Sequence, residues 1–268
     1  MKISLITACY NSAKTIKTAI DSVLSQKGVE IEYIVVDGGS KDGTVDLLKS
    51  YEPKFNGWMR WISEPDKGMY DAINKGIKMA TGDVVGILNA DDVLASDDTL
   101  AHIVSAFNTD SYPLAPDSSR IDAVYADIRF VREGETVEAV RKAETVRYCS
   151  AKRWRPWMFR FAAMVPHPSF YVRRESFERL GGYSLDYRIC ADFELELRYL
   201  YLAKLRAAYL PECVVVMRMG GMSTAGWRSN VLINREDLRA LRSHGIWSCL
   251  PLIYLKYLFK IWGFVFRR

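Results

Sequence analysis

Four residues, Asn89-Ala90-Asp91-Asp92, follow an apolar run at 83–88 that reads as a buried strand. Carboxylates clustered at the end of such a strand repel one another unless something positive sits between them. A hard divalent cation does this, taking oxygen ligands and bridging to phosphates. Acidic residues also cap helices, and Asp97 and Asp98 precede an amphipathic stretch, so an N-cap is the competing account. Asp37 favours chemistry, because it ends a second strand-like run at 31–36 and should lie on the same rim. Taken alone, Asp37-Gly38-Gly39-Ser40 is an ordinary tight turn.

The elements that must position these groups are legible from periodicity. Residues 2–8 form a strand, and Ile16, Ala19, Ile20, Val23 and Leu24 mark one face of a helix that Gly28 ends. Residues 44–51 form a short helix and 58–63 a third strand. Met69, Ile73, Ile77 and Ala80 stripe a helix that stops at Gly82, before the strand at 83–88. This alternation predicts parallel βαβ units in an α/β, Rossmann-like, mostly parallel sheet with helices on both faces. In such sheets ligands sit beyond the carboxyl ends of the strands, where both acidic turns fall. Residues 110–119 are a loop. Beyond them we expect strands at 121–125 and 128–131 and a hairpin turn at 133–135 leading into 136–140. The stretch 141–160 is basic, with Trp154, Trp157 and Phe159. A strand at 169–172, a helix at 191–202 and a strand at 214–217 follow.

Composition sets the frame. With 268 residues, 49% hydrophobic and 26% charged, the chain is globular. Its five scattered cysteines suggest a reducing compartment. No basic segment precedes a longer apolar one at the start, so no signal peptide is expected. The net charge of +5 is uneven. From Gly226 onward eight basic residues face two acids, Glu236 and Asp237, a balance of +6 that leaves the rest near −1. A basic tail on a near-neutral body points to an anionic partner, or to a solvated face.

The ordered set of motifs resembles family 2 glycosyltransferases of the GT-A fold, of the non-processive bacterial surface-polysaccharide type. It runs from Thr7-Ala8-Cys9-Tyr10-Asn11 through the segments 35–44, Asp66-Lys67-Gly68, 71–76 and Asn89-Ala90-Asp91-Asp92. It continues through His167-Pro168-Ser169, Gly181-Gly182-Tyr183 and 191–195 to Gly220-Gly221-Met222-Ser223. No single landmark is specific; their order is. The resemblance implies a donor-binding set of Thr7, Ala8 and Tyr10 around the nucleoside, Asp37 on the base, and Asp66 and Asp71 near ribose, phosphates or sugar. Asn89, Ala90 and Asp91 fall on the DxD signature. Asp91 is the first choice as ligand of a divalent cation, Mn or Mg, with Asn89 and Asp92 as further candidates. Asp192 falls at the catalytic base position, with Glu194 beside it. His167, Arg218 and Ser223 are further candidates for contact with phosphate or acceptor. Residues 1–115 would be the nucleotide-sugar-binding half, 116–225 the acceptor and base half, and 226–268 a helical tail.

The chain departs from the family pattern twice. Asn89 replaces the first Asp of DxD, so the metal should be held more weakly. Ala191 precedes Asp192 where many relatives carry Glu, leaving Asp192 as the acid at that pair. The implied reaction is inverting transfer of one sugar from a nucleotide-diphosphate sugar, with UDP as the expected nucleotide, to a hydroxyl of a glycan or lipid-linked acceptor. Asp192 would take the acceptor proton while metal and nearby donors stabilise the leaving diphosphate. The Gln-x-x-Arg-Trp of processive relatives is replaced at Ser150–Trp154, which favours one sugar per acceptor.

Residues 247–266 are nearly all apolar and aromatic. A span needs about 20 apolar residues, but Lys256 and Lys260 lie within, each costing roughly 2.5–3.5 kcal/mol near a bilayer centre. An in-plane amphipathic helix on an anionic inner membrane face is expected; a core-packing helix with a basic edge is the alternative. A cytoplasmic, peripheral protein follows. Among rivals, a dinucleotide oxidoreductase lacks its GxGxxG at Cys9-Tyr10-Asn11-Ser12. A sugar nucleotidyltransferase lacks its Gly-rich phosphate loop. A non-catalytic nucleotide-sugar-binding module stays open. The concentration of charge in an apolar tail argues against nucleic acid.

Overall fold

The computed structural model describes residues 1–108, 120–220 and 227–257. The first half alternates as expected: β1 (Lys2–Cys9), α1 (Ile16–Leu24), β2 (Glu30–Asp37), α2 (Thr44–Tyr51), β3 (Met59–Ser63), α3 (Met69–Met79) and β4 (Val84–Ile87). These strands make a parallel block in the order β3-β2-β1-β4. After β5 (Val93–Leu94) and α4 (Thr99–Asn108) come β6 (Ala123–Val131), α5 (Val137–Lys142), β7 (Arg147–Cys149) and β8 (Tyr171–Arg173). The chain continues through α6 (Arg174–Leu180), α7 (Ala191–Glu196), β9 (Ala207–Arg218), α8 (Trp227–Ser243) and α9 (Leu250–Tyr254). β8 pairs antiparallel with β4 and extends the sheet as β8-β6-β9-β5, with β7 beside β6. One mixed sheet therefore runs through both halves.

β1, β2 and β4 are buried on both faces, which is why they read as continuous apolar runs, whereas β3 is the partly exposed edge strand. Leu5, Tyr33, Val35 and Val84 face one core with α1, α2 and α4. Ile6, Ile34, Val36 and Val85 face the other with α3, α7 and α8. Gly86 lets the two halves of the sheet close up, because a Cβ there would lie 2.1 Å from the Tyr171 ring. The buried polar hub at the opposite end from the rim is structural: Glu32 accepts from Ser4 Oγ (2.7 Å) and Thr81 N (2.8 Å) and pairs with Arg60.

Several expectations are corrected. The strands at 121–125 and 128–131 are one strand, β6. The polar Asp127 that interrupts the pattern is buried, accepting from Tyr148 Oη (2.9 Å), Tyr209 Oη (3.0 Å) and Ala151 N (2.8 Å). Residues 136–140 open a helix, α5, instead of a strand. Thr136 Oγ1 accepts from Ala139 N at 3.1 Å, an N-cap that the short alternating pattern concealed. The basic-aromatic stretch 141–160 is mostly at the surface but is anchored in the interior by Ala151, Trp154 and Phe159. Trp154 and Phe159 are in the core, 5.3 Å apart edge to face, and Arg141 is paired with Asp97 at 2.6 Å. Trp157 is the aromatic of that trio that stays exposed.

The tail differs most. Lys256, expected on the polar face of a surface helix, is buried and paired with Asp237 at 2.6 Å, and Ile253 is in the core. α9 packs against α8 and against the turn Pro156–Phe161. The described part of the tail thus follows the core-packing alternative on its inner side. Among the described residues no helix is long and apolar enough to cross a membrane. Lys260 and the rest of 258–268 lie outside the described residues, as does Ser223.

Candidate active site

Parallel pairing puts the ends of β1, β2 and β3 in register, so Cys9, Asp37 and Ser63 form one row across the rim. Asp37 bridges its neighbours in that row. Its carboxylate accepts from Cys9 Sγ (3.6 Å), Ser63 Oγ (2.6 Å), Gly39 N (3.0 Å), Ser40 N (2.9 Å) and Ser40 Oγ. Burial pushes the carboxyl up, but the donors from Ser40, Ser63 and Gly39 outweigh it and hold it below the usual range. Asp37 is therefore ionised and saturated, and a nucleobase N–H would have to replace one of these hydroxyls. The neighbouring loops are laced together. Asn11, at φ 50°, accepts from Lys41 N (2.9 Å), and Ser40 Oγ accepts from Asn11 N (2.7 Å). Asp42 accepts from Ala13 N at 3.0 Å. Several of the sequence landmarks between 11 and 44 thus shape the rim.

Above this row stand Tyr10, 63% exposed, and Asp66. A Cβ on Gly38 would lie 2.5 Å from Asp66 Oδ2 and 3.3 Å from the Tyr10 ring, so Gly38 is the floor on which both side chains rest. Asp66 Oδ1 accepts from Gly68 N (2.8 Å), and Asp71 accepts from Lys67 N (3.0 Å), fixing the turn into α3. Ala8 is half-buried at the same strand end. Thr7 turns inward, donating to Leu88 O (2.8 Å) and accepting from Tyr33 Oη (3.0 Å). Its side chain ties β1 to the segment that carries Asn89.

The acidic loop leaves β4 beside the end of β1. Asn89 Nδ2 donates to Asp92 Oδ2 at 2.8 Å, and Ala90 is buried. Asp92 is fully buried, and its Oδ1 has no hydrogen-bond partner. Burial and the charge of Asp91 push the Asp92 carboxyl well above its usual range. Burial also raises Asp91, which remains partly exposed. Arg218, a candidate in the sequence to close over a diphosphate, has its guanidinium occupied. It donates to Asp91 O (2.8 Å), Thr18 Oγ1 (2.8 Å) and Gly134 O (2.9 Å), clamping the loop from below.

These donors fit a divalent cation in a particular way. The described residues hold no cluster of three or more His, Cys, Asp or Glu side chains suited to a metal. Asp91 offers one accessible carboxylate, and the orphaned Asp92 oxygen and raised carboxyls mark a spot where positive charge would be stabilising. A hard cation held by one or two carboxylates takes its remaining ligands from water and substrate phosphates. Asp92 orients Asn89 from behind.

The second half delivers Asp192 to the rim at the N-terminus of α7. Its Oδ1 accepts from Phe193 N (2.8 Å) and from Tyr70 Oη (3.3 Å), and Tyr70 also bonds Ile189 O. Burial raises the Asp192 carboxyl to about 6, against the lowering effect of those donors. That value suits a general base working near neutrality. Tyr70 belongs to α3, one residue before Asp71, so the turn at Asp66–Asp71 and Asp192 meet at one helix end. Asn74, one turn on, exchanges two hydrogen bonds with the Tyr183 backbone, both 2.8 Å, and Tyr183 stacks on Tyr70. A Cβ on Gly182 would stand 2.3 Å from Asn74 Oδ1. Gly182→Ala should push Asn74 away and lower stability by about 1–3 kcal/mol, which thermal unfolding would register; an unchanged melting temperature would refute the contact.

Two further sequence candidates are engaged within the second half. Glu194 is buried between Arg198 (2.9 Å) and His244 (2.8 Å), and Arg198 goes on to hold the carbonyls of Leu180, Gly181 and Gly182. His167 is depressed by burial to about 4, so it is neutral and offers phosphate no charge. Its ring lies edge-on to Tyr183.

The support that sequence reasoning missed is Glu236 on α8. Its carboxylate accepts from three consecutive amides just before α7, Arg188 N (2.9 Å), Ile189 N (2.9 Å) and Cys190 N (3.0 Å). Its neighbour Asp237 receives Lys256. The signal in the sequence is slight: these two acids interrupt an otherwise basic tail.

A rim of parallel strands with an acidic loop after the fourth and a buried carboxylate from the second half is the arrangement of a GT-A glycosyltransferase. Residues 4–181 match the model of Glycosyl transferase family 2, and the chain belongs to that family. A similar relative is the PGL/p-HBAD biosynthesis glycosyltransferase of Mycobacterium bovis, 29% identical over 238 residues, covering 89% of this chain and 83% of the relative. Among solved structures, S. aureus TarS 1-349 in complex with UDP-GlcNAc superposes with TM-score 0.62 and 19% identity, over 89% of this chain and 67% of that one. Against the longer TarS chain the match spans 40% of its length. The mannosyltransferase PcManGT from Pyrobaculum calidifontis, in complex with GDP-Man and Mn2+, gives TM-score 0.63 and 22% identity, over 98% of this chain and 72% of that one. At these identities the structures speak for the fold alone.

Proposed function

We propose that this glycosyltransferase moves one sugar from a nucleotide-diphosphate donor, UDP-sugar by expectation, to a hydroxyl of a glycan or lipid-linked acceptor with inversion. Residues 1–115 form the donor half, and 116–225 bring the acceptor and the base. The carrying observation is Asp192, a carboxylate raised to about 6 and bonded to the helix that begins at the donor-side turn. Asp192 accepts the acceptor proton as the oxygen attacks the anomeric carbon from the side opposite the leaving diphosphate. Tyr70 holds the carboxylate in place. Asp66, Asp71 and Tyr10 contact the donor above the Gly38 floor, and Asp37 keeps that floor rigid. Asp91 holds the divalent cation, with Asn89 and Asp92 in support; when bound it supplies charge to stabilise the diphosphate. Attachment to an anionic inner membrane face would bring lipid-linked acceptors to the rim.

Two measurements test this. Thermal unfolding with a panel of nucleotide diphosphates, with and without Mn or Mg, should show a metal-dependent rise for one nucleotide, since a ligand of the folded state stabilises by mass action. Asp91→Asn should abolish the metal dependence while leaving the ligand-free melting temperature unchanged or higher, because a partly buried, raised carboxyl is removed. No rise with any diphosphate would favour a protein that keeps the fold without the donor site. Inversion is read from the anomeric configuration of the product by NMR; a retained configuration would remove Asp192 from the role of base in a single displacement.

A further inference from the structure

The helix α8 has two chemically opposite sides. Its acids point inward: Glu236 to the three amides before α7 and Asp237 to Lys256. Its arginines 235, 239 and 242 are exposed and share one face, being spaced by four and three. Together with Leu238, Ser243 and Leu250 they line an open groove of about 460 Å³, and no carboxylate among the described residues lines it. Beside the groove the chain exposes Trp247 (74%), Leu250 (40%), Tyr254 (50%) and Leu255. Apolar and aromatic side chains next to uncompensated guanidiniums match the two layers of a bilayer surface. Trp and Tyr favour the headgroup level, and Arg binds phosphate through its planar fork.

We infer that the outer face of α8, with the α8–α9 turn, docks on an anionic phospholipid bilayer. Arg235, Arg239 and Arg242 take the headgroup phosphates, and Trp247, Leu250 and Tyr254 enter the interface. The basis differs from the one the sequence suggested, since Lys256 is buried and the described basic face is the arginine face of α8, one helix earlier. The surface adjoins the base. The Arg239 guanidinium lies 4.3 Å above the Tyr187 ring and donates to Asp186 O, on the loop that leads to Asp192. An acceptor whose anchor lies in that bilayer would meet the rim from the α8 side. That consequence rests on the proposed transfer reaction; the docking itself does not.

The test uses the full chain and point variants, because cutting the chain before α9 would take Lys256 from its ion pair with Asp237 and Ile253 out of the core. Co-sedimentation is measured with phosphatidylcholine vesicles with and without phosphatidylglycerol, in the absence of donor and acceptor. The wild type should sediment with the anionic vesicles and stay in solution with the neutral ones. Arg235→Gln with Arg242→Gln should weaken partitioning about 30-fold, each arginine near such a surface being worth about 1 kcal/mol. Arg239 is left in place because it supports the base loop. Trp247→Ala should weaken binding to the same vesicles without changing its dependence on salt. Nucleotide release from the donor in solution should be unchanged in every variant, so that a failure of docking and a failure of the transfer reaction are read separately. The inference is overturned if the wild type ignores anionic vesicles, or if the double arginine variant sediments as well as the wild type.

Discussion

Asp192→Asn should lower transfer by about 10²–10⁴-fold, the usual contribution of a positioned general base, while leaving nucleotide binding intact. The two halves of that expectation are separable because, among the described residues, the hydrogen bond that joins Asp192 to the first half comes from Tyr70. In the wild type the rate should fall tenfold per pH unit below about 6 and level off above it, since the base must be ionised. Tyr70→Phe removes a donor that favours the ionised form, so the acid limb should move to higher pH. Stability should run the other way. A carboxyl raised from 3.8 to about 6 in the folded state makes folding less favourable as pH rises through that window. The cost is absent below 3.8 and complete above 6, at most about 3 kcal/mol by the linkage of pKa to free energy. Asp192→Asn should therefore unfold at a higher temperature than the wild type at pH 8. An inactive variant that is also less stable would point to a structural lesion, and a variant with wild-type turnover would remove Asp192 from the chemistry.

Which parts of the site were visible in the sequence follows from how local each signal is. The parallel block was legible because β1, β2 and β4 are buried on both faces and α1 and α3 carry clear helical stripes. The strand ends then placed Asp37, Asn89 and Asp91 on one rim. The motif order singled out Asp192 as well, and the fold brings it against Tyr70 at the start of α3. What stayed hidden were relationships across long sequence distances. The saturation of Asp37 depends on the register of three strands, which no local pattern records. Arg218 reads in the sequence as a mobile cation beside glycines, yet its acceptors are at positions 18, 91 and 134. The motif Asp71–Gly76 marks donor binding by family resemblance. In the structure one of its residues, Asn74, is joined to the backbone of Tyr183, more than a hundred positions away. The tail misleads for a related reason: counting charges treats Lys256 and Asp237 as solvated, whereas they neutralise each other in the interior.

Glu236→Ala is the sharpest test of that hidden wiring, and should destabilise the chain more than Gly182→Ala. The carboxylate satisfies three consecutive amides, and charge-assisted bonds of this kind are worth about 1.5–3 kcal/mol each in favourable cases. Water can reach part of the vacated space, so a loss of roughly 3–5 kcal/mol is expected, in the range reserved for broken buried networks. In a chain of this size that corresponds to a fall in melting temperature of about 10 °C. Glu236→Gln keeps two acceptor lone pairs and the side-chain volume, so it should fold and restore much of the stability. Its catalytic signature separates positioning from mere support. The charge of Glu236 contributes to the raised Asp192 carboxyl, so the neutral amide should move the acid limb of the rate profile to lower pH. Turnover should fall as well, because a loop that has lost part of its anchor no longer holds the base within the sub-ångström tolerance that catalysis demands. Affinity for the nucleotide should not change, since none of the donor-side contacts involves α8. If the limb stays near 6 and turnover is untouched in Glu236→Gln, the helix is a brace for the fold alone. If both move, the tail belongs to the active site through the three amides that lead into Asp192.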